Sequence, residues 1–198
     1  MNLKLYNFFK QTMLIICIFL TVACNTIEKK REKASLKLIV ENCLGEKLRI
    51  PDSLAVYSPS SNYISDSLEI SYANFKIYSH INASCPICLE DIKLWNRVSL
   101  EFYKYKIPII LIHTSKNNFE LFKYKHEKGE IENFPYPFFF DLKSEFLKQN
   151  KFMKESSHFE TVLTDRENSI LLIGNPIHSK EIKDMYLNEI QKRIKDNE

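Results

Sequence analysis

Phe75-Lys-Ile-Tyr-Ser-His-Ile-Asn-Ala-Ser-Cys-Pro-Ile-Cys88 is the stretch on which the fold turns. Phe75 to Ile81 alternates and is rich in β-branched and aromatic residues, which predicts a strand. Cys85 follows four residues later. From Pro86 the period changes. Cys88, Ile92, Trp95, Val98 and Phe102 are spaced 4, 3, 3 and 4, one stripe of a helix running to about Tyr105. Pro86 suits the first helical position, where a missing N–H costs nothing. Cys85 is then the N-cap. Its sulfur would face the free amides of the first turn, that of Cys88 among them, and the positive end of the helix dipole. Both favour thiolate, so the Cys85 thiol is expected below its usual value of roughly 8.5. Cys88, one turn in, is expected to be more buried and neutral. Cys85 is the candidate attacking thiol and Cys88 the candidate resolving thiol.

Downstream, Ile107–Ile112 is an apolar run typical of a buried central strand. Lys116–Lys128 reads as a polar helix ending at Gly129, and Tyr136–Phe140 as a strand. Asp141–Phe152 reads as a loop with a short helix. Phe159–Thr164 and Ser169–Ile173 form a hairpin around Asp165-Arg-Glu-Asn168, and Lys180–Lys195 is a last amphipathic helix. Upstream, Leu36–Val40 and Lys47–Ile50 flank the turn Leu44-Gly45-Glu46 as an early strand pair, and Pro51–Asp66 reads as a loop. Alternation of this kind predicts an α/β domain, a mixed central sheet flanked by helices with an N-terminal β extension.

The first residues read as a leader. Lys4 and Lys10 are basic, and Gln11–Ala23 carries no charge. The apolar part is too short to span about 30 Å of hydrocarbon. It closes on Leu20-Thr-Val-Ala-Cys24, which resembles the bacterial lipobox, with Cys24 as the lipidated residue. The expected organisation is a signal peptide over 1–23, a lipid-anchored tether over 24–36 and a single domain over 37–198. The chain would be held at the cell envelope by its lipid, facing the periplasm or the exterior. Removing Lys4 and Lys10 with the leader lowers the formal charge from +3 to +1, which argues against nucleic acid as a partner.

Of the five cysteines, Cys17 leaves with the leader and Cys24 takes the lipid. Cys43 reads as a small apolar residue. Cys85 and Cys88 close too short a loop to staple a fold, so chemistry explains them better. A zinc half-site is the alternative. Zinc wants four ligands, and Cys43, His80, His113, His126, His158 and His178 supply no second close-spaced pair. No metal and no cofactor is expected.

The strand–CxxC–helix context and the chain order resemble the thioredoxin superfamily, and more narrowly the membrane-tethered TlpA-type thiol–disulfide oxidoreductases, over roughly Leu68–Lys195. The resemblance implies a proton-transfer role for Asp91, three residues after Cys88. An acid in the first helical turn, like its neighbour Glu90, is also favoured simply by the dipole. Ser84 stands where the family has an aromatic residue. Phe159, preceded by His158, stands in the slot of the family's cis-proline, and a trans bond is expected there because cis non-proline bonds cost about 3 kcal/mol. The resemblance places substrate contact at Ser84, Pro86, His158 and Phe159. The implied partners are protein thiols and disulfides of the envelope and a carrier that recycles the pair. The alternative is a non-enzymatic redoxin-fold binding or assembly lipoprotein, with vestigial or metal-binding thiols.

Overall fold

The computed structural model describes residue 31, residues 33–58 and residues 67–196. The leader and Cys24 lie outside the described residues. Residues 33–43 form helix α1. A compact unit runs from Cys43 to the C-terminus. It carries β1 (Leu54–Tyr57), α2 (Ser67–Tyr72), β2 (Phe75–Asn82), α3 (Pro86–Tyr103) and β3 (Ile109–Thr114). After these come α4 (Glu120–Glu127), β4 (Phe138–Asp141), α5 (Phe146–Gln149), β5 (Thr161–Asp165), β6 (Ile170–Ile173) and α6 (Lys180–Asp196).

The six strands form one sheet in the order β1-β4-β3-β2-β5-β6. β2, β3 and β4 are parallel, with Ile77 opposite Ile109 and Ile112 opposite Phe139. β5 runs antiparallel to β2 and β6 antiparallel to β5. β1 pairs antiparallel with β4, from Leu54 opposite Asp141 to Tyr57 opposite Phe138. The two innermost strands are buried along almost their whole length, which accounts for the apolar run of β3, while β2 buries Lys76, Ser79 and His80 among its apolar residues.

Two readings of the early chain are corrected. Leu36–Val40 belongs to α1, not to a strand. An apolar run of five residues fits one turn of a helix as well as a strand. The N-terminal β extension lies further on, where Leu54–Tyr57 falls inside the stretch read as a loop. Its strand character comes from a partner, the exposed edge of β4. From the Lys47–Ile50 stretch only Lys47 bridges the sheet, opposite Ser169. Buried Asn150 secures that segment: its Oδ1 accepts from the Arg49 amide at 2.9 Å, and its Nδ2 donates to the Arg49 carbonyl at 2.7 Å.

α3 buries Leu89, Ile92, Trp95, Ser99 and Phe102, spaced 3, 3, 4 and 3 along one face. α6 buries Tyr186 and Ile190, and the Tyr186 hydroxyl donates to the Gly174 carbonyl at 2.8 Å. An aromatic group centred on Phe122 packs with Phe138 and Phe140 around His113. That imidazole is fully buried, and desolvation pushes it down to about 3 despite a hydrogen bond to the Leu111 carbonyl. It is a neutral core histidine.

Candidate active site

The end of β2 and the start of α3 build the site together. The Cys85 amide donates to the Asn82 carbonyl at 3.1 Å, and the Ala83 amide donates to the Thr114 carbonyl at 2.8 Å. The loop is thereby hung from the ends of β2 and β3. Cys85 is the N-cap, in extended conformation at φ −107° and ψ 111°, with Pro86 opening the helix. Its sulfur accepts the Cys88 amide at 3.3 Å. Cys85 and Cys88 are joined as a disulfide, their Cα atoms 5.2 Å apart. Both are half-buried.

A cleft of about 590 Å³ opens beside Cys88. Trp95 and Ile81 form apolar wall, and Asp91, His158 and His178 bring titratable groups to it. Asp91 lies in the second helical turn, not the first, so the helix dipole does not account for it. Its Oδ2 meets Nε2 of His178 at 3.3 Å. His158 is exposed on a 3₁₀ turn whose start is capped by Ser156 Oγ. Phe159 is buried. All peptide bonds among the described residues are trans, that between His158 and Phe159 included.

Ser84 is committed to the neighbouring loop. Its hydroxyl accepts the Lys116 amide at 2.8 Å and reaches Ser115 Oγ at 3.2 Å, and its own amide donates to Asn82 Oδ1. Pro86 is exposed, as is Ile87 after it, at 77%. The structure therefore brings Cys88, Asp91 and His158 to one cleft. Cys85, Ser84, Pro86 and Phe159 are not among the residues that line it.

His80, Thr114, Glu160 and His178 also line this cleft. Sequence reasoning weighed the two histidines only as zinc ligands and passed over the others. Alternation along β2 could have flagged His80, a polar residue inside a strand otherwise destined for the core. Nothing local marks the other three. Among the described residues no three His, Cys, Asp or Glu side chains are grouped so as to hold a metal ion. Burial, and then the Glu46 carboxylate, push the Cys43 thiol above its usual range, which makes it a poor nucleophile.

The CxxC pair caps a helix that leaves a central strand of a mixed sheet, with a parallel crossover to β3 and an antiparallel return through β5 and β6. The fold is thioredoxin-like. No family model matches the chain, and no curated protein matches it. Solved structures do. The thioredoxin domain of a thiol-disulfide oxidoreductase from Bacteroides vulgatus aligns at 14% identity and a TM-score of 0.46, over 72% of this chain and 96% of that one. A chain named as the thiol:disulfide interchange protein DsbE of Chlorobium tepidum aligns at 10% identity and 0.49, over 74% and 97%. A thioredoxin-like protein from Bacteroides caccae aligns at 22% identity and 0.42, over 81% and 56%. At these values the strand order and register of the chain itself carry the fold.

Proposed function

We propose that this protein is a thiol–disulfide oxidoreductase held at the cell envelope by a lipid on Cys24. One observation carries the reading: Cys85 caps α3 with its sulfur on the Cys88 amide and already pairs with Cys88 beside an open cleft. A thiolate at Cys85 would be stabilised by that amide and by the helix N-terminus.

Reduced Cys85 attacks a disulfide of an envelope protein and forms a mixed disulfide. Cys88 then attacks the Cys85 sulfur and releases the substrate as a dithiol. A separate carrier restores the dithiol form of the pair. Exposed Pro86 and Ile87, and the cleft-side His158, offer contacts to the substrate chain around its disulfide. Asp91, held by His178 and sharing the cleft with Cys88, assists proton transfer. Among the described residues no helix is long and apolar enough to cross a membrane. The anchor is read from Leu20-Thr-Val-Ala-Cys24.

The test is the redox midpoint of the Cys85–Cys88 pair in the full chain, measured in detergent by thiol trapping in glutathione or dithiothreitol buffers. A reversible two-electron transition, lost in Cys85→Ser, is expected. A midpoint near about −270 mV would make it a reductant, and one near about −120 mV an oxidant. Absence of any reversible transition would sink the enzyme reading and favour a non-enzymatic binding or assembly role.

A further inference from the structure

His80 is a buried polar side chain of β2, and both of its ring nitrogens are engaged. Nδ1 meets Glu160 Oε2 at 2.9 Å, and Nε2 meets Thr114 Oγ1 at 2.8 Å. The three residues come from the end of β2, the end of β3 and the turn before β5. All three line the cleft that Cys88 lines. His113, one strand away, offers the contrast. It is packed in aromatic rings, bonded to a backbone carbonyl and absent from the cleft wall.

The chemistry of the donors sets the direction of the chain. An ionised Glu160 can only accept, so Nδ1 carries the hydrogen. Nε2 is then an acceptor, and the Thr114 hydroxyl donates to it. That leaves the lone pairs of Thr114 free to take a proton while its own passes to Nε2. The Glu160 carboxylate balances the imidazolium that results.

We propose that Thr114, His80 and Glu160 form a proton relay serving the Cys88 thiol, with Thr114 as the entry point and His80 as the store. The relay rests on the oxidoreductase reading above. The Cys85 thiolate attacks the substrate disulfide, that S–S bond breaks and one substrate thiolate leaves. The Cys88 S–H gives its proton through Thr114 to His80. Its thiolate attacks the Cys85 sulfur, the mixed disulfide breaks and the second substrate thiolate leaves. Two electrons pass to the substrate. Its two thiolates take up two protons, one returned from His80 and one from solvent, which had received the proton of Cys85. Asp91, His158, His178 and Lys116 also face the cleft, and His113 feels the charge on His80.

The experiment separates attack from resolution. The reduced full chain in detergent, with Cys17→Ser, Cys24→Ser and Cys43→Ser, is mixed in excess with 5,5′-dithiobis(2-nitrobenzoate). Attack by Cys85 releases one coloured thiolate, and resolution by Cys88 releases the second. His80→Gln, Glu160→Gln and Thr114→Val should each slow the second release by at least about 10-fold, below the roughly 100-fold at which general acid–base contributions typically begin. They should also change the pH profile of the second release. The first release should keep its rate, and Thr114→Ser should restore the second. If His80→Gln fails to fold, Thr114→Val decides, because it leaves the imidazole and its carboxylate in place. An unchanged second release in these variants overturns the relay while leaving the dithiol chemistry intact. Failure of the unsubstituted Cys85 to give a first release overturns the oxidoreductase reading itself.

Discussion

His178 Nε2 lies 3.3 Å from Asp91 Oδ2, tying the segment before α6 to the second turn of α3 at the edge of the Cys88 cleft. A carboxylate near a thiol disfavours thiolate, and a hydrogen bond donated to that carboxylate draws off part of its charge. The pair is partly exposed, so the effect should be modest. Asp91→Asn should speed iodoacetamide alkylation of the reduced pair at pH 7, and His178→Ala should slow it. Equal rates in the two variants would show that this contact does not reach the thiols.

The disulfide closes a loop with a sequence separation of only 3. Chain-entropy reasoning gives such a loop about 2 kcal/mol of stabilisation. For a chain of this size that corresponds to about 4–8 °C in melting temperature. The oxidised protein should melt above the reduced one by that margin. Cys85→Ser should match the reduced form, because serine is itself a good N-cap. Calorimetry under both redox conditions checks this, and a much larger drop would mean that the bond organises the fold.

Ser84 holds the CxxC loop against the β3–α4 loop through the Lys116 amide and Ser115. Ser84→Ala should cost about 1 kcal/mol, the net worth of an ordinary hydrogen bond. Amide exchange at Lys116 should accelerate with it. An unchanged exchange rate at Lys116 would show that the contact does not restrain the loop.

His113 makes stability depend on pH. Its folded value, about 3, lies below the unfolded value of about 6.5. The unfolded chain therefore binds a proton that the native state refuses. Stability is fully present above about pH 6.5 and is lost as pH falls toward about 3, with a limiting slope near 1.4 kcal/mol per pH unit. Urea unfolding at pH 7, 6, 5 and 4 should show this decline. His113→Leu should flatten the part due to this residue, and an identical slope in the variant would exclude His113 as its source.

Much of the candidate site was legible because it is local. The cap at Cys85, the proline after it and the stripe from Cys88 to Phe102 follow from the geometry of a single helix, and α3 begins at Pro86 as expected. The apolar run of β3 announces a buried central strand, and it pairs parallel to β2, whose alternation also marked it as a strand. Other elements took their form from a partner. Leu54–Tyr57 is a strand because β4 offers an open edge, a fact written in Phe138–Asp141, more than 80 residues away. Leu36–Val40 was too short for periodicity to separate a turn of helix from a strand.

The sequence by itself determined the cap at Cys85, the candidate nucleophile, and the alternation of helices and strands, because each depends on contacts within a few residues. Only the tertiary structure decided what surrounds the thiols. Sheet order brings Thr114 and Glu160 to His80 across separations of 34 and 80 residues, and the return of the chain before α6 brings His178 to Asp91 across 87. Such neighbours leave no periodic trace along the chain, since strand register and helix packing fix their positions rather than the residues beside them.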